Sequence, residues 1–185
     1  MSRFEVTELG LGVKAVKRLA LGDARGSLTR LFCAQDLAAA GWSKPVAQAN
    51  WVENKLRGTV RGLHYQVAPF AEDKLLFCME GEIHDVVVDV RRGSPTLLQY
   101  VAVNLAAARG DGLLIPAGFA HGYQCLSDDV KLLYFHSEAY APSAERGLNP
   151  LDPTLKIAWP LPIENLSERD QNHAVLKTTF EGDQF

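Results

Sequence analysis

The chain has 185 residues, nearly half of them hydrophobic, and a net charge of −3 spread along its length. That length suits a single domain, residues 1–185, with a full core. The dispersed charge excludes an electrostatic footprint for nucleic acid or an anionic membrane, and no apolar run reaches the length that crosses a bilayer. The opening Met1-Ser2-Arg3-Phe4-Glu5 lacks the apolar stretch of a secretory signal. Cys33, Cys78 and Cys125 are odd in number and set among apolar residues, so they read as reduced core thiols and the expected location is the cytoplasm.

In chain order, residues 5 to 20 read as one or two short strands, and Gly22-Asp23-Ala24-Arg25-Gly26 is a turn. Ser27 to Phe32 extends, and Ala34 to Gly41 is the only early helix, with glycine where a helix stops. Pro45 to Trp51 is extended and Glu53 to Gly58 is a polar loop. Val60-Arg61-Gly62-Leu63-His64-Tyr65-Gln66 is a strand; strict alternation would put Arg61, Leu63 and Tyr65 on one face and Val60, Gly62, His64 and Gln66 on the other. After a loop from Ala68 to Asp73, Lys74 to Cys78 and the β-branched Glu82 to Val90 are strands separated by a turn at Glu80-Gly81. A turn at Arg92 to Pro95 leads to a strand from Leu97 to Leu105, and Asp111 to Tyr123 is strand, Pro-x-Gly turn, strand. Val130 to Ser137 is a further strand with Val130, Leu132, Tyr134 and His136 on one face. The tail turns to proline, asparagine and charge, and Ser167-Glu168-Arg169-Asp170 opens a short helix.

Short strands with close turns argue an all-β sandwich or barrel over alternating βαβ units. In a jelly roll, inward residues from several strands converge on a pocket. The candidates are Arg61, His64, Lys74, Asp85, His121, Tyr134 and Asp170. They suit proton chemistry: an imidazole base, a carboxylate to orient it, a cation for an oxyanion and a phenol as acid. Plainer readings stand beside these. His64 could be a hydrogen-bonded core histidine, Tyr134 a strand aromatic, Lys74 a solvated edge residue, and Asp170, three residues after Ser167, the end of a capping box.

The strings Arg61-Gly62-Leu63-His64-Tyr65-Gln66, Asp89-Val90-Arg91-Arg92-Gly93-Ser94-Pro95-Thr96, Ile115-Pro116-Ala117-Gly118-Phe119-Ala120-His121-Gly122 and Leu166-Ser167-Glu168-Arg169-Asp170 resemble, in order and spacing, the dTDP-4-dehydrorhamnose 3,5-epimerase family. Gly22-Asp23-x-Arg25-Gly26 and Gln48-x-Asn50 extend the match, which covers roughly residues 20 to 175. The resemblance implies an all-β cupin-type double-stranded β-helix (jelly roll), with short helices in the N-terminal third and at the C-terminus. It also implies a homodimer that epimerises a dTDP-linked 4-keto-6-deoxyhexose at C3, C5 or both without metal or other cofactor.

On that resemblance His64 is the base, Asp170 holds its ring, Lys74 stabilises the enolate oxygen and Tyr134 delivers the proton on the opposite face. Arg25, Gln48, Asn50, Arg61, His121 and Tyr140 bind the sugar nucleotide, and Asp85 pairs with His121. His84, His136 and His173 receive no role. Metal-binding cupins resemble one another in a His-x-His pair followed by glutamate, whereas Tyr65 and Gln66 follow His64 here, so no metal is expected. Arg30 stands where the family carries an acid, Phe77 where it has arginine or tryptophan, and Pro150 near a usual aromatic; these departures bear on the sugar-facing wall. Two alternatives remain at this point: a ketoisomerase moving the carbonyl between C4 and C3, and a non-catalytic sugar-nucleotide-binding cupin.

Overall fold

In the computed structural model, which describes residues 2–185, strands β1 (Phe4–Gly10) and β2 (Val13–Arg18) form a hairpin. A second hairpin, β3 (Ala20–Asp23) and β4 (Gly26–Thr29), joins neither large sheet. There follow α1 (Ala34–Ala38), β5 (Gln48–Asn54), β6 (Thr59–Gln66), β7 (Lys74–Glu80), β8 (Glu82–Asp89), β9 (Tyr100–Ala106), β10 (Asp111–Ile115), β11 (Phe119–Cys125) and β12 (Val130–His136). The chain closes with β13 (Glu145–Gly147), β14 (Asn165–Leu166) and α2 (Glu168–Gln171). One sheet orders the strands β1-β2-β10-β7-β12-β5, the other β13-β6-β11-β8-β9 with β14 parallel on β6. This is the mostly antiparallel jelly roll expected, with the two short helices where the sequence puts them.

Three apolar layers explain why so many strands read as continuous hydrophobic runs: both faces of each sheet are covered. Along β7, Leu76 and Cys78 enter the layer between the sheets with Ile83, Val87, Leu113 and Leu132, while Leu75 and Phe77 point outward to Leu37 and Trp42 around α1. On the second sheet, Leu63, Tyr65, Val86 and Val88 are covered from outside by Leu148, Leu155 and the tail. Burying a side chain of this size contributes roughly 1.5–3 kcal/mol, so the tail is part of the core.

Three expectations shift. The polar loop expected from Glu53 begins two residues later, at Lys55, because β5 runs through Asn54 paired with β12. The strand from Leu97 starts at Tyr100, because Ser94 to Gln99 is a turn in which the Ser94 and Thr96 hydroxyls donate to the buried Asp89 carboxylate at 2.6 Å each.

The third concerns β6. His64 pairs with His121 and Arg61 with Tyr123, so three steps along β6 match two along β11. The extra residue breaks the alternation and brings Arg61 and His64 to the same cavity, which strict alternation forbids. Glycine makes this possible. A Cβ on Gly62, at φ +110°, would lie 2.6 Å from the Cα of Gly122, and one on Gly122 would lie 2.6 Å from the Arg61 carbonyl oxygen.

Candidate active site

The inner faces of β5, β12 and β7 carry two lateral rows, Gln48–His136–Lys74 and Asn50–Tyr134–Leu76, set by the pairing register. Facing them across the roll are His64 and Arg61 of β6 and His121 of β11. Between lies a cavity of about 490 Å³, open to solvent on one side. His64, Tyr134, Lys74 and Asp170 all line it, as do Gln48, Asn50, Arg61, His121 and Tyr140. The sequence argument required the imidazole and the phenol to share one space, and they do.

His64 Nε2 lies 2.7 Å from Asp170 Oδ1. Asp170 is 3% exposed and its other oxygen accepts the Gly62 N–H at 3.3 Å. Burial alone would raise this carboxyl; the bond and charge of His64, with the Gly62 N–H and Ser167, outweigh it and hold Asp170 below the ordinary range. An ionised Asp170 accepts from an Nε2–H, leaving Nδ1 as the basic nitrogen. The capping reading is half right: Ser167 Oγ accepts the Asp170 N–H at 3.1 Å, while the Asp170 carboxylate leaves the helix for His64.

Tyr134 is buried, its ring between His121 (centroids 5.9 Å, edge-on) and His136 (5.7 Å, stacked). Desolvation pushes its phenol well above the usual value, so it stays protonated and able to donate. Lys74 is also buried; its ammonium donates to the His64 carbonyl at 3.1 Å and pairs with Glu72 Oε1 at 3.2 Å. His121 Nε2 lies 2.9–3.0 Å from both oxygens of the fully buried Asp85, the pairing expected.

Arg61 is aimed by Asn54, whose Oδ1 accepts its Nε–H at 2.6 Å. At the cavity mouth Tyr140 donates its hydroxyl to Glu145 at 2.8 Å, and Glu145 also pairs with Arg169. Gln48 Oε1 accepts the Tyr140 N–H at 3.1 Å.

Arg25 is the exception. It sits at the tip of the β3–β4 hairpin, 90% exposed and paired with Asp23 at 2.6 Å, and it does not line this chain's cavity. The hairpin belongs to neither sheet, so it is carried away from the inner face. The departures from the family pattern also fall elsewhere. Arg30 pairs with Asp36 on the surface, and Phe77 packs outward on Phe4 with the Arg18 guanidinium 4.9 Å from its ring. Neither forms the cavity wall.

Sequence reasoning missed Glu72, His136, Asn54, Glu145 and His173. His173 brings a third donor beside His64 and Asp170, within 4.8 Å. Two atoms bound to one zinc stand roughly 3.3 Å apart at tetrahedral angles; His64 and Asp170 at 2.7 Å are closer, and His173 Nε2 is buried against Gly147. The trio is arranged as a hydrogen-bonded pair with a packed neighbour.

Fold and cavity together define a jelly-roll protein of the sugar-isomerase class, with an imidazole and a phenol on opposite walls of one cavity. The comparisons name the family: residues 9–178 match the model of dTDP-4-dehydrorhamnose 3,5-epimerase, and the chain belongs to that family. The dTDP-4-dehydrorhamnose 3,5-epimerase of Shigella flexneri is 38% identical over 151 residues, 82% of this chain and 83% of that one. The dTDP-6-deoxy-D-glucose-3,5-epimerase of Legionella pneumophila, solved with dTDP-4-keto-L-rhamnose, superposes with a TM-score of 0.89 at 31% identity over 98% of each chain. A 3′-monoepimerase of Streptomyces bikiniensis, solved with dTDP as a histidine-to-asparagine, tyrosine-to-phenylalanine double mutant, gives a TM-score of 0.82 at 38% identity over 89% of this chain and 83% of that one. Its two replaced residues are as far apart in sequence as His64 and Tyr134 are here.

Proposed function

We propose that this enzyme epimerises a dTDP-linked 4-keto-6-deoxyhexose, inverting C3, C5 or both in the biosynthesis of a rhamnose-like deoxysugar. The observation that carries this is a single cavity bearing the His64–Asp170 pair on one wall, the Tyr134 hydroxyl on the other and the Lys74 ammonium nearby. A C4 ketone acidifies the protons on C3 and C5. His64 Nδ1 removes one, Asp170 stabilises the resulting imidazolium, Lys74 takes the charge growing on the ketone oxygen, and Tyr134 protonates the carbon from the opposite face. Arg61, His121, Gln48, Asn50 and Tyr140 bind the remainder of the substrate, and the guanidinium suits a diphosphate.

Arg25 serves the same substrate from a second copy of the chain: the enzyme is a homodimer whose β3–β4 hairpins reach into each other's cavities. The support is an exposed arginine at a hairpin tip, in a motif the family shares, paired only with Asp23 of its own hairpin and away from its own protomer's cavity. All three cysteines are free, which supports a cytoplasmic setting. A ketoisomerase and a mere binder are less economical, since base, acid and oxyanion cation are all present.

The test is incubation with dTDP-4-keto-6-deoxyglucose in deuterated water. Two deuterons, at C3 and C5, establish the double epimerase, and one a single-site enzyme. A shifted carbonyl identifies the isomerase, and no incorporation removes the proposal.

A further inference from the structure

Resting on that reading, we infer that His136 is a positioning residue: through Glu72 it sets the charge that Lys74 presents to the substrate, and through Asn50 it sets the polarity of the cavity wall. His136 Nδ1 lies 2.8 Å from Glu72 Oε2, and Lys74 Nζ lies 3.2 Å from Glu72 Oε1, so one carboxylate is held between two donors. All three side chains are nearly buried, at 13%, 9% and 9% exposure, yet all line the cavity. Burial would raise the Glu72 carboxyl; the Lys74 charge and the His136 bond outweigh it and keep it ionised.

A bare carboxylate here would pair fully with Lys74 and cancel the charge meant for an enolate. His136 prevents that by claiming the second oxygen. Lys74 then spends one N–H on Glu72 and one on the His64 carbonyl, and its third remains for the ketone oxygen.

The ring's other nitrogen carries the second half of the inference. The hydrogen bonds point to a ring whose proton lies on Nδ1 toward Glu72 and whose Nε2 accepts from Asn50 Nδ2, 3.3 Å away. The Asn50 amide therefore turns its N–H to His136 and its carbonyl oxygen to the cavity. That wall accepts hydrogen bonds, so it selects a sugar hydroxyl and disfavours the ketone, which has no proton to give. The C4 carbonyl is left to Lys74.

The first measurement uses the unaltered protein: ¹⁵N-labelled histidine, read by long-range proton–nitrogen correlation at neutral pH, is expected to show His136 as the neutral Nδ1–H tautomer. An Nε2–H tautomer or an imidazolium overturns the inference, whether or not the protein turns over the keto sugar. The second is kinetic. His136→Phe, which keeps a ring beside Tyr134, is expected to lower kcat by about ten- to hundredfold and to raise KM as Asn50 loses its partner, and Glu72→Gln added to it is expected to restore most of the loss in kcat. Wild-type kcat in His136→Phe, or no recovery in the double variant at an unchanged Tm, overturns it. If His136→Phe does not fold, the tautomer decides. Failure of the unaltered enzyme to exchange deuterium removes the proposed function and leaves the tautomer result standing.

Discussion

Replacing Asp170 by asparagine changes one oxygen to an amide nitrogen, and the site offers that nitrogen no good place. Toward Gly62 it would set N–H against N–H across 3.3 Å; toward His64 it would face Nε2 across 2.7 Å as a donor, forcing the ring proton onto Nδ1. The second arrangement puts the proton on Nδ1, the nitrogen that Asp170 leaves free, and so removes its basic lone pair. The first keeps the tautomer and loses the charge that stabilises the imidazolium. A charge-assisted hydrogen bond contributes about 1.5–3 kcal/mol, and each 1.36 kcal/mol in the barrier is tenfold, so the expected loss in kcat is roughly 10- to 150-fold. The assay is initial-rate deuterium uptake at C3 and C5 by NMR, at saturating and limiting substrate, with KM expected to move by only a fewfold. An Asp170→Asn enzyme within threefold of the wild-type kcat would refute the view that this carboxylate orients and charges the base.

Tyr134→Phe separates the two halves of the reaction. Deuterium should still wash into the substrate through His64, while inverted product falls by about 10²–10⁴-fold; loss of both would place Tyr134 in binding instead. Mixing inactive His64→Ala and Arg25→Ala chains under conditions that exchange subunits should restore activity in one site of each mixed dimer, and a mixture as dead as its parts would rule out the hairpin in trans. Asp89, which accepts from Arg91, Ser94 and Thr96 inside the turn before β9, predicts a stability effect. Asp89→Asn should cost about 1–3 kcal/mol, discounted for the half-exposed Arg91, a fall of roughly 3–10 °C in Tm. Burial alone would raise the Asp89 carboxyl; its four side-chain and backbone donors outweigh that and depress it. Its stabilisation is thus complete above the unfolded value of about 3.9 and lost as pH falls through the lower folded value. Calorimetry at pH 7 and in acid should show the two proteins converge only in acid.

The strands were legible because β-branched runs such as Val86-Val87-Val88 admit little else, and the cavity residues His64, His121 and Asp170 because each stands in a string of distinctive neighbours. What escaped depends on register. Arg61 and His64 share a face only through the extra residue in β6, and alternation cannot reveal an insertion whose cause is a glycine meeting another glycine 60 residues on. Glu72 and His136 are separated by 64 residues and become partners only when β7 and β12 lie side by side. Arg25 stands in a shared motif, but a motif does not show that its hairpin joins neither sheet and points away from the cavity.

His64 on β6 and the carboxylate bonded to its ring, Asp170 on α2, are 106 residues apart. The imidazole gains its carboxylate partner only where α2 packs against β6. Clipping before residue 165 would remove Asp170 together with Leu176 and Phe180, which cover the second sheet, so the carboxylate and part of the core would go at once. The hydrogen bond that fixes the His64 ring is thereby tied to the seating of α2 against β6.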